Sequence, residues 1–140
     1  MTIYKEIYDL IADTAQGACD HEIGAVLGAD RGDDICEVVF DRIEDIKRYM
    51  YTPNVEYLNE VIERWQRWRF AGIVHSHLNN QCTLSFADKA YIEDIMMAMP
   101  PDIGYLYFPV YVVPENKLYG YKAERVLNRV IIFDEPINII

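Results

Sequence analysis

Histidine and serine are scarce in this chain, with three of the first and two of the second among 140 residues. Cysteine, positive charge and long apolar runs are scarce as well, and each shortage excludes something. Thirteen Lys and Arg stand against 23 Asp and Glu, a net charge of −10. That argues against nucleic acid, because neutralising phosphates needs clustered cations. A basic partner surface suits such a field better. Cys19, Cys36 and Cys82 are odd in number, widely spaced and without a CxxC pair. A disulfide framework is not expected, and a reducing cytoplasm is. No window reaches the apolar length of a membrane span. The opening "MTIYKEIYDLIAD" has no basic n-region and no long apolar h-region, so no secretory signal is expected. The expectation is a soluble, cytoplasmic protein with one domain over residues 1–140.

What is present reads as alternating elements. Ile3, Ile7, Leu10, Ile11 and Ala15 recur near helical spacing, predicting an amphipathic helix over 3–16 that ends near Gly17. "EIGAVLGA" (22–29) and "ICEVVF" (35–40) read as strands joined by a turn at Arg31–Asp34. In "TPNVEYLNEVIERWQRW", Val55, Leu58, Val61, Ile62, Trp65 and Trp68 share a helical face, with Thr52 as N-cap and Pro53 at the first helical position. "FAGIVHSH" is a strand that turns polar at its C-terminal end, and "SFADKAYIEDIMMAM" is a helix closed by Pro100 and Pro101. "YLYFPVYVV", "KLYGYKA" and "RVIIF" read as strands, with Pro114-Glu115-Asn116 as a hairpin turn. The fold class is therefore α/β or α+β, a mixed sheet flanked by helices.

Both serines and two of the three histidines fall within "HSHLNNQCTLSFAD", residues 75–88. On a strand, i and i+2 face the same side, so His75 and His77 can converge on one ion. A catalytic zinc takes about three protein ligands from His, Asp or Glu and keeps a fourth position open. Asp88 offers the third ligand from the next helix, with Ser85 at i−3 on the same helical face. Water at such a metal needs a proton acceptor. Glu22 is the candidate, since an acid opening an apolar strand is costly unless it has a task or a partner. Each piece also has a plainer reading: Ser85-x-x-Asp88 is an ordinary capping box, and a lone His-x-His is often structural. The joint pattern should arise by chance on the order of once in ten thousand such sequences, by composition counting.

His75-Ser76-His77, seven residues, Ser85, two residues and Asp88, with an upstream glutamate before a Gly-containing apolar strand, resembles the JAMM (JAB1/MPN/Mov34) metalloprotease motif. The likeness spans residues 22 to 88, and the prokaryotic JAB-like branch is the nearest in form. It implies an MPN/JAB-domain-like, cytidine-deaminase-like architecture. It also implies Zn2+ as cofactor, with His75, His77 and Asp88 as its ligands. Ser85 would hold the water or the oxyanion, and Glu22 would be the general acid/base. Leu78 and Leu84 stand where the family usually has proline. Aligning the glycines on the eukaryotic pattern puts His21 at the catalytic place; the prokaryotic form puts Glu22 there.

The activity so implied is a zinc-dependent isopeptidase that removes or processes a ubiquitin-like protein, whose conjugate would be the partner. A zinc peptidase or amidase acting on small peptides or sulfur-carrier conjugates is a second reading, and an inactive MPN-like scaffold a third. Cys82 could approach the metal as a fourth ligand or redox switch, or simply be a small loop residue. Trp65 and Trp68 fit half-buried packing as well as a partner face. The tyrosine-rich C-terminal strands could pair with an extended substrate tail.

Overall fold

The computed structural model describes residues 1–43 and 50–140. In chain order its elements are β1 (Thr2–Ile3), α1 (Lys5–Gly17), β2 (Gly24–Ala29), β3 (Asp34–Phe40), α2 (Val55–Arg64), β4 (Arg69–His77) and α3 (Phe86–Ala98). There follow β5 (Tyr105–Tyr107), β6 (Val110–Val112), β7 (Lys117–Tyr119), β8 (Tyr121–Val126), β9 (Arg129–Asp134) and β10 (Asn138–Ile139). The strands form one mixed sheet in the order β10-β1-β3-β2-β4-β5-β8-β9, with β6 and β7 branching from β4. Strand β4 is the axis: β2 pairs with it antiparallel, while β5 and β6 run parallel to it.

Helices cover both faces of the sheet, as the sequence reading expects. Ile11 and Ala15 of α1 pack with Ala25, Leu27, Ile35 and Val74 on one face. Leu58 of α2 and Ile92 and Met96 of α3 pack with Val26, Ile73, Leu106 and Val110 on the other. All six residues of β2 are buried, which explains why "GAVLGA" lacks the alternation of a half-exposed strand.

Several boundaries differ from the sequence reading. Ile3 belongs to β1, which pairs with β3 and β10, so the first helix starts two residues later. Strand β2 begins at Gly24, leaving Glu22 two residues ahead of it. The N-cap of α2 is Asn54, not Thr52; its side chain accepts the Tyr57 N–H. Pro53 thus precedes the cap, and Val55 is exposed rather than inward-facing. The helix ends at Arg64, and Trp65 and Trp68 are half-buried in the connection to β4. "YLYFPVYVV" breaks into β5 and β6 around Pro109, because proline cannot donate to a ladder.

One irregularity decides where the polar end of β4 points. The β2–β4 register shifts between Leu27, opposite Gly72, and Gly28, opposite Phe70, which leaves Ala71 extra. Before the bulge Phe70 packs with the α3-side core and Ala71 with the α1-side core; after it Ile73 lies on the α3 side and Val74 on the α1 side. The bulge thus slips the alternation by one, which on a strand reverses every later side chain. Gly72 permits it: its φ is +147°, and a Cβ there would lie 1.7 Å from the Tyr107 carbonyl oxygen. By this shift His75 and His77 face α3.

Candidate metal centre

His75 and His77 end β4 and are buried, as is Asp88 in the first turn of α3. Their Nε2 atoms are 3.0 Å apart, and each lies 3.1 Å from Asp88 Oδ2. Among the described residues, these three are the group of side chains placed to hold a metal ion. The outer nitrogens are engaged too. His77 Nδ1 is 2.7 Å from the Gln81 carbonyl oxygen. A carbonyl only accepts, so Nδ1 carries the proton and the neutral ring turns the Nε2 lone pair inward. His75 Nδ1 lies 3.0 Å from the Tyr91 hydroxyl, which accepts from it in the same tautomer.

With the rings in this tautomer, two imidazole lone pairs and a carboxylate oxygen converge within about 3 Å, an arrangement that a cation satisfies and that in its absence only added protons on Nε2 can. A tetrahedral zinc with bonds of about 2.0–2.1 Å has ligand atoms about 3.3 Å apart. The donor types, the spacing and the oriented rings fit zinc, and such outer hydrogen bonds are the usual means of fixing metal-binding imidazoles.

Ser85 is the N-cap of α3. Its hydroxyl accepts the Asp88 N–H at 3.0 Å, while Asp88 Oδ2 accepts the Ser85 N–H at 2.8 Å. This reciprocal box satisfies two free helix donors and aims the carboxylate at the histidines in one arrangement. The Ser85 hydroxyl keeps its own proton to donate.

Glu22 is only 6% exposed. Burial pushes its carboxyl up to about 7; the charge of His77 acts against this and that of Asp88 with it, while the Tyr51 backbone amide favours its charged form. Gly24 pairs antiparallel with His75, and Ile23 is hydrogen-bonded both ways to Ser76, which puts Glu22 at the His77 end of β4. His21 is half-buried, with its Nδ1 2.7 Å from its neighbour Asp20. Of the two registers for the glutamate, the structure thus brings Glu22 toward the histidines. At His77, burial opposes the charge, but Asp88 and the Gln81 carbonyl outweigh it and raise the titration. His75 is lowered by its complete burial. For Asp88, burial works toward neutrality, yet hydrogen bonds from both histidines hold its carboxyl well below the usual carboxylate range.

Cys82 is half-buried; its backbone carbonyl accepts from the Tyr121 hydroxyl, and its sulfur is not among the metal-type group. Three residues escaped the sequence reading. Tyr91 is at i+3 from Asp88, a spacing that places it on the same helical face. Ser76, between the histidines, turns to the opposite side of β4. Its hydroxyl accepts the Ile23 N–H at 2.9 Å and its own N–H donates to the Ile23 carbonyl, fastening the segment that carries Glu22. Tyr51 has no sequence signal of its own.

The class so defined is an α/β fold with a buried His-His-Asp metal-type site at the C-terminal end of its central strand. No protein-family model and no curated protein matches the sequence. Solved structures do resemble it. A protein from Desulfitobacterium hafniense superposes with TM-score 0.72 at 20% identity, over 99% of this chain and 91% of that one. A JAB1/MPN domain protein from Archaeoglobus fulgidus gives 0.55 at 18%, over 100% and 97%. A structure described as JAMM, a metalloprotease-like zinc site in the proteasome and signalosome, gives 0.52 at 18%, over 100% and 97%. The chain has the fold of JAB1/MPN domains, and His75, His77 and Asp88 form a JAMM-like triad within it.

Proposed function

We propose that this protein is a zinc-dependent metalloprotease of the JAMM type, acting as an isopeptidase that releases or processes a ubiquitin-like protein. The observation that carries the reading is the triangle of His75 Nε2, His77 Nε2 and Asp88 Oδ2, buried and oriented from behind. His75, His77 and Asp88 would hold the metal. Bound zinc would supply Lewis acidity, lowering the pKa of water toward neutrality and polarising a carbonyl.

The remaining work falls to this chain's own side chains. Glu22, a buried carboxylate, takes a proton from the attacking water and returns it to the departing amine. Both transfers need a group that neither holds its proton too tightly nor gives it up too readily. Ser85 donates its hydroxyl proton to the oxygen on which negative charge develops. Tyr91 and the Gln81 carbonyl keep the two imidazoles in one tautomer. The net charge of −10 suits a basic conjugate.

The test pairs metal analysis with hydrolysis. The purified chain is expected to carry one zinc and to cleave an isopeptide-linked ubiquitin-like conjugate, activity vanishing with chelation and returning with zinc. His77→Ala should lose both metal and activity, whereas Glu22→Gln should keep zinc and lose about 100-fold or more in rate. Hydrolysis that survives chelation would remove the metalloenzyme reading. Cleavage of short peptides alone would move the substrate to small amides, and zinc without hydrolysis of either would leave a scaffold.

A further inference from the structure

We infer that Tyr51 is a positioning residue of this site, a wedge that sets His75 and Glu22 together. The inference rests on the metal-site reading above and concerns a residue outside its ligands, base and cap.

Tyr51 lies outside every helix and strand yet is only 3% exposed. Its ring occupies space that another residue vacates. Gly24 of β2 sits directly opposite His75 of β4, and a Cβ at Gly24 would lie 2.0 Å from Tyr51 Cζ. The ring therefore rests on bare backbone where any side chain would displace it. From there it lies nearly parallel to the His75 imidazole, at 17° with centroids 6.1 Å apart. Tyr91 meets the same imidazole at 79°, centroids 6.0 Å apart, and contributes its hydroxyl to Nδ1. His75 is thus confined by one ring alongside and another edge-on.

The other end of the device is the backbone. The Tyr51 backbone amide acts on the Glu22 carboxylate and favours its charged form. The phenol hydroxyl donates to Asp41 Oδ2 at 2.7 Å, and the same oxygen accepts the Asn54 N–H at 2.8 Å. The Asp41 N–H in turn donates to the Gly24 carbonyl at 2.9 Å. Asp41 therefore ties the ring, the start of α2 and the strand under the ring into one closed loop. A shift of the ring moves the imidazole against it and the amide that holds Glu22. Tyr51 touches neither water nor substrate in this scheme; it fixes the angle of one ligand and the rotation of the base.

The experiment is a double-mutant cycle of Gly24→Ala and Tyr51→Leu, with Tyr51→Phe alongside. Zinc affinity is read by chelator competition, ligand geometry by the absorption spectrum of the cobalt-substituted protein, and folding by melting temperature. Gly24→Ala should weaken zinc by ~10-fold or more, in the range seen when groups behind a ligand are disturbed, and should alter the cobalt spectrum. Tyr51→Leu should do likewise. Because Leu vacates the space above Gly24, the double variant should be no worse than Tyr51→Leu alone, so that the two losses do not add. Tyr51→Phe, which keeps the ring and loses only the Asp41 anchor, should retain the cobalt spectrum at a lower melting temperature. Additive losses in the cycle, or a native cobalt spectrum in Tyr51→Leu, would overturn the inference. If the unsubstituted protein takes up neither metal, the functional reading fails; a double variant that melts no lower than Tyr51→Leu alone still decides the wedge.

Discussion

Glu22 shows at the level of one residue how a site is held at a cost to the fold. Its carboxyl is raised from an ordinary 4.5 to about 7 by burial, so the folded protein binds that proton more tightly than the unfolded chain. The sign follows directly. Below the unfolded value both states are protonated and the residue costs nothing. As pH rises from about 4.5 to about 7, the unfolded chain ionises first and stability falls; above that the full penalty applies, on the order of 3 kcal/mol. Glu22→Gln keeps an oxygen for the Tyr51 N–H and cannot ionise. We expect it to raise the melting temperature of the zinc-free protein at pH 8 by roughly 5–10 °C, and to change it little at pH 4.5. Calorimetry of both proteins at the two pH values measures this. An equal effect at both, or destabilisation at pH 8, would mean that Glu22 is not buried as a costly anion. Zinc should shrink the gain, since a nearby cation stabilises the carboxylate.

At the level of elements, the site depends on a backbone irregularity more than on any side chain. Composition and spacing made most of the elements legible: the capped helix α3 from Ser85-x-x-Asp88, the two histidines at i and i+2, the helices around a mixed sheet. The one-residue bulge was not legible. A glycine inside an apolar strand is compatible with an unbroken ladder, and nothing in "FAGIVHSH" states that Tyr107 approaches Gly72 from the neighbouring strand. The pairing of Tyr51 with Gly24 was hidden for the same reason, as it joins a connection to a strand 27 positions away in sequence. The α2 cap was misplaced because Thr52-Pro53 and Asn54 both offer start signals, and only packing chooses between them.

A test at this scale follows from Gly72. Gly72→Ala would set a Cβ 1.7 Å from the Tyr107 carbonyl oxygen at a φ that side chains rarely adopt. Relief requires opening the β4–β5 pairing or removing the bulge, and removing it would turn His75 and His77 toward α1. We expect a loss of at least about 3 kcal/mol from backbone strain and lost packing, with zinc binding abolished in whatever fraction still folds. Urea denaturation and zinc titration read the two effects. A Gly72→Ala protein that binds zinc normally would show that the bulge does not set the facing of the histidines.

For the molecule as a whole, the metal and the fold should act as one equilibrium. Three ligands come from two elements, the end of β4 and the start of α3, and converge only when the sheet and helix are packed. An ion that binds the folded chain and not the unfolded one stabilises it by mass action, about 2.7 kcal/mol at a hundredfold excess over the dissociation constant. For a chain of 140 residues that is about 10 °C in melting temperature. The effect should depend on pH in a definite direction. His77 is raised by Asp88 and the Gln81 carbonyl, so in the zinc-free fold it holds a proton to higher pH than an ordinary histidine. Zinc must expel that proton, and its apparent affinity falls as pH drops through the His77 titration. We expect added zinc to raise the melting temperature by about 10 °C at pH 7.5, and by much less at pH 5. Chelator should reverse the gain at the higher pH and do little at the lower. Asp88→Asn tests the electrostatic half of the argument, because it removes the charge that favours His77 protonation while keeping an oxygen ligand. Its zinc shift should be smaller than that of the unsubstituted protein at pH 7.5 and should fade less steeply on acidification. A zinc effect equal at both pH values would separate the His77 proton from metal binding, and the site would have to be built on a different protonation state.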